Sequence, residues 1–289
     1  MGSDEYEVLV KPGVPLEEII KNSSTCDIIL FAGTSLESNA IICCQKGKQN
    51  IPDGVPIFSH IGVIIKGYDF NFNNYDLIET MRTENFSIDK NETYILEAQM
   101  TAKSEQIVGN TKCFCGIAEC CTGIGRKCDF WNCSCDKIVY GVLFRKLSDV
   151  IKDYDNSADI RIHYGQLQHS KNPFRYKRTE DGSGRASLKY QEAITKSFLT
   201  YREIPYDFGC LGINMCAVIC RLCRPCRLCI TCGNTESAVV CSELVAMVWR
   251  DCQIINDDVR TQNVSPMDFL GYETDSHLGR MGLGKSTSM

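Results

Sequence analysis

The chain has 289 residues, 19 of them cysteine, with 31 basic and 36 acidic side chains and a formal charge of −5. This length supports a genuine apolar core, which excludes a small scaffold held together only by disulfides. The negative balance supplies no global field for nucleic acid or an acidic membrane, so no nucleic-acid partner is expected.

Residues 1–14 contain acids and a proline, without the basic start and apolar run of a signal peptide. Apolar stretches such as residues 61–65 are far too short for a transmembrane helix. These features predict a cytoplasmic chain, in which clustered thiols more often hold metal than form disulfides.

In chain order, residues 26–31 (CDIILF) read as a buried strand ended by Ala32, Gly33 and Thr34. Residues 59–65 (SHIGVII) read as a second strand. Its alternation puts His60, Gly62 and Ile64 on one face and Ile61, Val63 and Ile65 on the other. Residues 94–98 (YILEA) form a third, with Ile95 and Glu97 sharing a face, and residues 137–146 (KIVYGVLFRK) a fourth. Residues 187–201 place Tyr190, Ala193, Ile194, Ser197 and Phe198 at helical spacing. Another helix begins near Cys241, with Leu244, Val245, Val248 and Cys252 as its apolar stripe. Polar or cysteine-rich inserts separate these elements at about 34–57, 99–136, 155–186 and 209–237. The expected architecture is one α+β domain over residues 1–275, with cysteine-rich inserts at about 99–136 and 209–237 and a flexible tail at 276–289.

Thiol catalysis needs a thiolate, a base that makes it, and a group that orients the base. Cys241 stands at a predicted helix N-terminus, where free backbone N–H groups favour an anion. The competing reading makes it a buried apolar residue on the inner stripe. Of the four histidines, His163 and His169 fall in a polar insert and His277 in a glycine-rich tail. Only His60 is embedded in an apolar strand, where a hydrogen-bonded core histidine is the alternative. Glu97 is a carboxylate in an otherwise apolar strand, so it should be paired or functional.

Taken together, CDIILF, FSHIGVII, YILEA, KIVYGVLFRKL, IPYDFG, VVCSELVAMVW and SPMDFL resemble the circularly permuted papain-like hydrolases of the NlpC-type superfamily. The likeness is greatest to the YiiX/YaeF-like branch, which has members in bacteria and in large DNA viruses. It spans about residues 27–270 and runs in the family's order of histidine, polar partner and cysteine. The resemblance implies an antiparallel sheet packed against helices, with Cys241 as nucleophile, His60 as base and Glu97 as its partner. It also implies a thioester intermediate, no cofactor for catalysis, and a peptide, amide or acyl-lipid substrate. Packaging in a virion is compatible with the viral members. Tyr206 and Asp207 are candidates for the cleft, with a turn-forming pair as the other reading. Two departures stand out: Cys26 where the family usually has glycine, and the insert at residues 209–237 before the nucleophile.

Fourteen cysteines fall in two windows, seven from Cys113 to Cys135 and seven from Cys210 to Cys232. Zinc needs four ligands in close pairs, which makes Cys113, Cys115, Cys133 and Cys135 candidates, along with Cys220, Cys223, Cys226, Cys229 and Cys232. The second window lacks the Cys-Pro that follows a bacterial iron–sulfur run, which ranks zinc above a cluster. Disulfides, or S-acylation beside Arg221, Arg224 and Arg227 with membrane contact, remain alternatives. A non-catalytic structural or interaction protein, stabilised by metal or disulfides, is the competing function. Residues 279–286 match the phosphate-loop pattern, but only three residues follow. No helix can form there to aim N–H groups at phosphates, and no nucleotide site is expected.

Overall fold

The computed structural model of the protein describes residues 8–12, 14–33, 57–102, 108–109, 138–155, 161–167, 172–176, 186–204, 206, 239–259, 261 and 264–270. Among these, the strands are β1 (Val8–Pro12), β2 (Ile28–Ala32), β3 (His60–Lys66), β4 (Thr93–Ala102), β5 (Val108–Gly109), β6 (Ile138–Lys146) and β7 (Arg161–Leu167). The helices are α1 (Leu16–Asn22), α2 (Tyr75–Thr83), α3 (Leu147–Asp155), α4 (Pro173–Tyr176), α5 (Leu188–Tyr201) and α6 (Cys241–Asp251). Short 3-10 turns cover Gly67–Asp69 and Pro266–Leu270. The strands form one sheet in the order β1-β7-β2-β3-β4-β6-β5, and every neighbouring pair is antiparallel. The expected α+β class with an antiparallel sheet is the one found.

Register divides the sheet's side chains between two cores. Ile29 lies opposite Gly62 and Tyr164, and Ile64 opposite Ile95. Ile29, Phe31, Ile64, Ile95 and Tyr164 pack with Ile19 of α1 and with Leu147, Val150 and Ile151 of α3. On the other face, Ile61, Val63, Ile65, Leu96 and Phe144 join Phe198 of α5 and Leu244, Val245, Val248 and Trp249 of α6. Strict alternation along β3 and β4 therefore sends two apolar sets to two separate helix layers.

Helix α6 is held at both ends by polar contacts to distant segments. Near its start, Ser242 Oγ donates to the Val264 carbonyl at 2.6 Å. Toward its end, Trp249 Nε1 donates to the Cys26 carbonyl at 3.0 Å, and its ring meets Phe269 edge-on at 5.0 Å. Asp251 Oδ2 accepts from Ser197 Oγ and from Tyr201 OH of α5, each at 2.7 Å. These bonds fix where the helix begins relative to the sheet.

Several boundaries differ from the sequence reading. The first predicted strand starts at Ile28, because Cys26 sits at φ 72° and Asp27 turns its carboxylate inward. The span 155–186, read as a polar insert, contains β7 and α4. β7 is an interior strand of the sheet, between β1 and β2. β4 continues to Ala102 and β5 follows, so sheet strands occupy part of the insert placed at 99–136. Strand β1 and helices α1 and α2 have no counterpart in that reading.

Gly62 is where the sheet is tightest. A Cβ built there would lie 2.7 Å from Ile95 Cγ1 and 3.2 Å from Glu97 Cβ. Gly62→Ala is expected to destabilise the fold by about 1–3 kcal/mol through overpacking, read from the denaturant midpoint. An unchanged midpoint would show that β4 yields freely at this point.

Candidate active site

Three of the sequence candidates converge, and each comes from a different element. His60 opens β3, where it pairs with Phe31 of β2; the two rings lie 5.2 Å apart. Glu97 lies on β4 directly opposite Gly62, two residues along the same face from His60. With no side chain at Gly62, the Glu97 carboxylate can lie along the sheet. Its Oε2 is 2.7 Å from His60 Nε2. Glu97 is fully buried, whereas the His60 side chain keeps 15% of its exposure.

A buried carboxylate needs a compensating charge, and Arg145 of β6 provides it. Arg145 faces Ile95 in the ladder, which puts it on the same face as Glu97 and one diagonal step away. Its Nε donates to Glu97 Oε1 at 3.0 Å, and its Nη2 makes a second bond to the same oxygen. Arg145 is itself buried, with 1% exposure. The two carboxylate oxygens thus have separate partners, one guanidinium and one imidazole.

Cys241 is the first residue of α6, and the Val240 side chain makes no capping bond to the helix. The first-turn N–H groups therefore carry the positive end of the helix dipole to the sulfur. The thiol is close enough to the His60 side chain to act on its charge. Because Nε2 is taken by Glu97, Nδ1 is the ring nitrogen left for the sulfur. Cys241 is buried, at 4% exposure.

The electrostatics follow from these contacts. Burial works against charge on His60, but the charge and hydrogen bond of Cys241, followed by those of Glu97, push its pKa up to about 9. Burial likewise works against ionised Glu97, and the Arg145 guanidinium outweighs it, with help from His60. The carboxyl is held below its usual range. The site is thus an Arg145–Glu97–His60–Cys241 series in which the acid is ionised and the imidazole readily takes a proton. Such a series can deprotonate a thiol and hold the resulting charges.

Tyr206 forms an isolated parallel bridge with Val239, two residues before Cys241. It therefore sits on the backbone that leads into α6. Asp207 lies outside the described residues. So do the zinc candidates Cys113, Cys115, Cys133, Cys135, Cys220, Cys223, Cys226, Cys229 and Cys232. Among the described residues, no group of three or more His, Cys, Asp or Glu side chains could hold a metal ion. None of the described helices is long and apolar enough to cross a membrane. His163, placed in a polar insert from sequence, is buried in β7 with Phe58 edge-on at 4.8 Å. It pairs with Leu30 in the ladder, on the face opposite His60. Arg145 was missed altogether. Alternation along GVLFR places it with Leu143 on the inward face, but an Arg-Lys pair at a strand end reads as a solvated exit.

No family model, no curated protein and no solved structure matches the chain.

Two predictions follow from the charges. Arg145→Met leaves the Glu97 carboxylate buried with His60 alone and should destabilise the fold by about 3–5 kcal/mol. Adding Glu97→Gln should recover part of that loss, because the stranded charge is removed. Strictly additive denaturation midpoints would rule out the coupling. For His60, the folded pKa of about 9 exceeds the ordinary 6.5. Its stabilising contribution is complete below pH 6.5 and is lost as pH rises through about 9, a span worth roughly 3 kcal/mol. His60→Gln should flatten this part of the stability profile between pH 6 and 9.5. A profile that stays parallel to wild type would refute the imidazolium pairing.

Proposed function

We propose that the protein is a cysteine-dependent hydrolase or acyltransferase acting on an amide or ester, with a circularly permuted papain-like fold. The observation that carries this reading is the contact of Cys241, at the start of a helix, with an imidazole held by a buried carboxylate. The order of these groups along the chain, histidine, acid, then cysteine, is the order that the sequence resemblance implies. A buried carboxylate, an imidazole with a raised pKa and a thiol gathered at one place support a chemical role over a purely structural one.

In the proposed reaction, His60 takes the Cys241 thiol proton and the sulfur attacks the substrate carbonyl carbon. The carbonyl oxygen becomes an oxyanion, which in this reading accepts a hydrogen bond from the backbone N–H of Cys241. Collapse breaks the scissile bond, and His60 returns the proton to the leaving amine or alcohol. Water loses a proton to His60 and attacks the thioester, which frees the acid, and His60 returns that proton to the Cys241 sulfur; an alcohol or amine in place of water leaves as the new ester or amide. Glu97 holds the ring by Nε2 and stabilises the imidazolium, and Arg145 keeps Glu97 ionised and in place. Peptides, other amides and acyl-lipid esters all present the required carbonyl.

The test is labelling by an electrophilic acyl probe, located by peptide mapping, alongside turnover of peptide, acyl-lipid and peptidoglycan-like amide panels. Wild type should acylate at Cys241, and Cys241→Ala should lose that adduct with its circular dichroism unchanged. Glu97→Gln should lower the acylation rate about 10²–10⁴-fold. Labelling spread evenly over the cysteines, with no preference for Cys241, would favour the non-catalytic alternative.

A further inference from the structure

Cys26 and Cys252 are two cysteines that the proposed reaction does not use. Both are free and fully buried, at 0% exposure. Cys252 is the C-cap of α6, and its N–H donates to the Val248 carbonyl at 3.0 Å. Cys26 lies in the turn before β2, with its N–H donating to the Ile64 carbonyl at 2.9 Å. Trp249, three residues before Cys252 on the same helical face, bonds the Cys26 carbonyl at 3.0 Å. The indole therefore locks that face of α6 against the Cys26 turn. Cys252 is close enough to Cys26 to act on its thiol. Cys26 also adopts φ 72°, a left-handed conformation that a residue with a Cβ occupies only under strain. A glycine would relieve that strain, yet the position carries a thiol in the neighbourhood of a second one.

We infer that Cys26 and Cys252 form a latent disulfide, closed by an oxidant of the peroxide or small-disulfide class, that staples the end of α6 to the sheet. With peroxide, one thiolate attacks an oxygen, the O–O bond breaks, and a sulfenic acid and one water result. The second thiol then attacks that sulfur, its proton leaves with the hydroxyl as a second water, and the S–S bond forms. Two thiols are oxidised by two electrons, and one peroxide is reduced to two waters. With a small disulfide, two successive exchanges release two small thiols.

Neither sulfur is exposed, so the reaction proceeds through local opening of the turn around Cys26, both for closure and for reduction. Burial and the neighbouring Cys252 push the Cys26 thiol up, which further slows attack. The staple leaves the nucleophile free. Cys252 lies eleven positions after Cys241 along the helix, a rise of about 16 Å. Closure would therefore stiffen the helix that carries Cys241 without consuming its sulfur.

The experiment uses the full chain, folded and treated with oxidised glutathione or hydrogen peroxide. Remaining thiols are alkylated after denaturation, and the protein is digested without reductant. The expected result is a linked peptide pair containing Cys26 and Cys252 as the main cross-link. The melting temperature should be about 5–10 °C above that of reduced protein and should fall when reductant is added. Cys26→Gly, whose backbone suits φ 72°, should stay folded while losing both the cross-link and the reductant-sensitive shift. Cys252→Ser serves as the second control. Recovery of Cys26 and Cys252 as separate alkylated peptides from oxidised, folded protein would overturn the inference. So would a reductant-sensitive shift that persists in Cys26→Gly. Acyl labelling at Cys241 reports separately on the hydrolase reading, since reduced Cys26→Gly retains that residue.

Discussion

Everything at the candidate site depends on one buried ion pair, Arg145 with Glu97. A carboxylate with no solvent contact survives as an anion only if a cation and hydrogen bonds replace water. Arg145 does this from the neighbouring strand, so the β4–β6 register is also a constraint on the site. A slip of β6 by one residue would turn Arg145 to the opposite face, among Leu96 and Phe144, and leave Glu97 without its cation. The same pair explains the glycine across the β3–β4 ladder. The volume a side chain would need at Gly62 is taken by Ile95 and the stem of Glu97. A sheet with this charge pair inside it has little freedom in register, in packing or in the direction its free carboxylate oxygen faces.

That free oxygen sets the state of His60. Burial by itself would keep the imidazole neutral, and the balance is reversed only by the groups on either side of the ring. Glu97 supplies one side and Cys241 the other. The position of Cys241 is in turn a property of α6, pinned by Ser242 near one end and by Trp249 and Asp251 toward the other. The sulfur reaches the imidazole because bonds to residues far away in sequence fix the start of the helix. The helix end that carries Cys241 and the end anchored by Trp249 and Asp251 are therefore physically linked.

What the sequence disclosed, and what it hid, follows from the same forces. SHIGVII shows its two faces because β3 is central and each face meets apolar neighbours, so alternation survives in the residue types. His60 and Glu97 were legible as polar exceptions in apolar strands. Arg145 was not, because a basic residue followed by Lys146 looks like the solvated end of a strand. Only the cross-strand register shows that it points inward. β7 was hidden for a related reason. RIHYGQL has few apolar residues, yet His163 is buried against Phe58, and Tyr164 is buried with its hydroxyl on Asp27 at 2.6 Å. A polar strand satisfied by partners distant in sequence looks like a loop until those partners are known.

The protein contains a second buried carboxylate, and comparing it with Glu97 shows what separates a structural charge from a chemical one. Asp27 accepts from the Ser24 N–H at 2.8 Å, the Leu167 N–H at 3.1 Å, Tyr164 OH at 2.6 Å and Asn172 Nδ2 at 3.1 Å, and it is paired with Arg175. Burial nonetheless raises its pKa, and Tyr164 beside it is pushed up as well. The hub joins α4, β7 and the turn before β2. Glu97 has the same burial and the same kind of arginine, but one of its oxygens is committed to an imidazole whose far side meets a thiol. Equal burial of two carboxylates therefore leads to different roles. The hub around Asp27 ends in hydrogen bonds that join the sheet to α4, and the series through Glu97 ends beside an imidazole and a thiol.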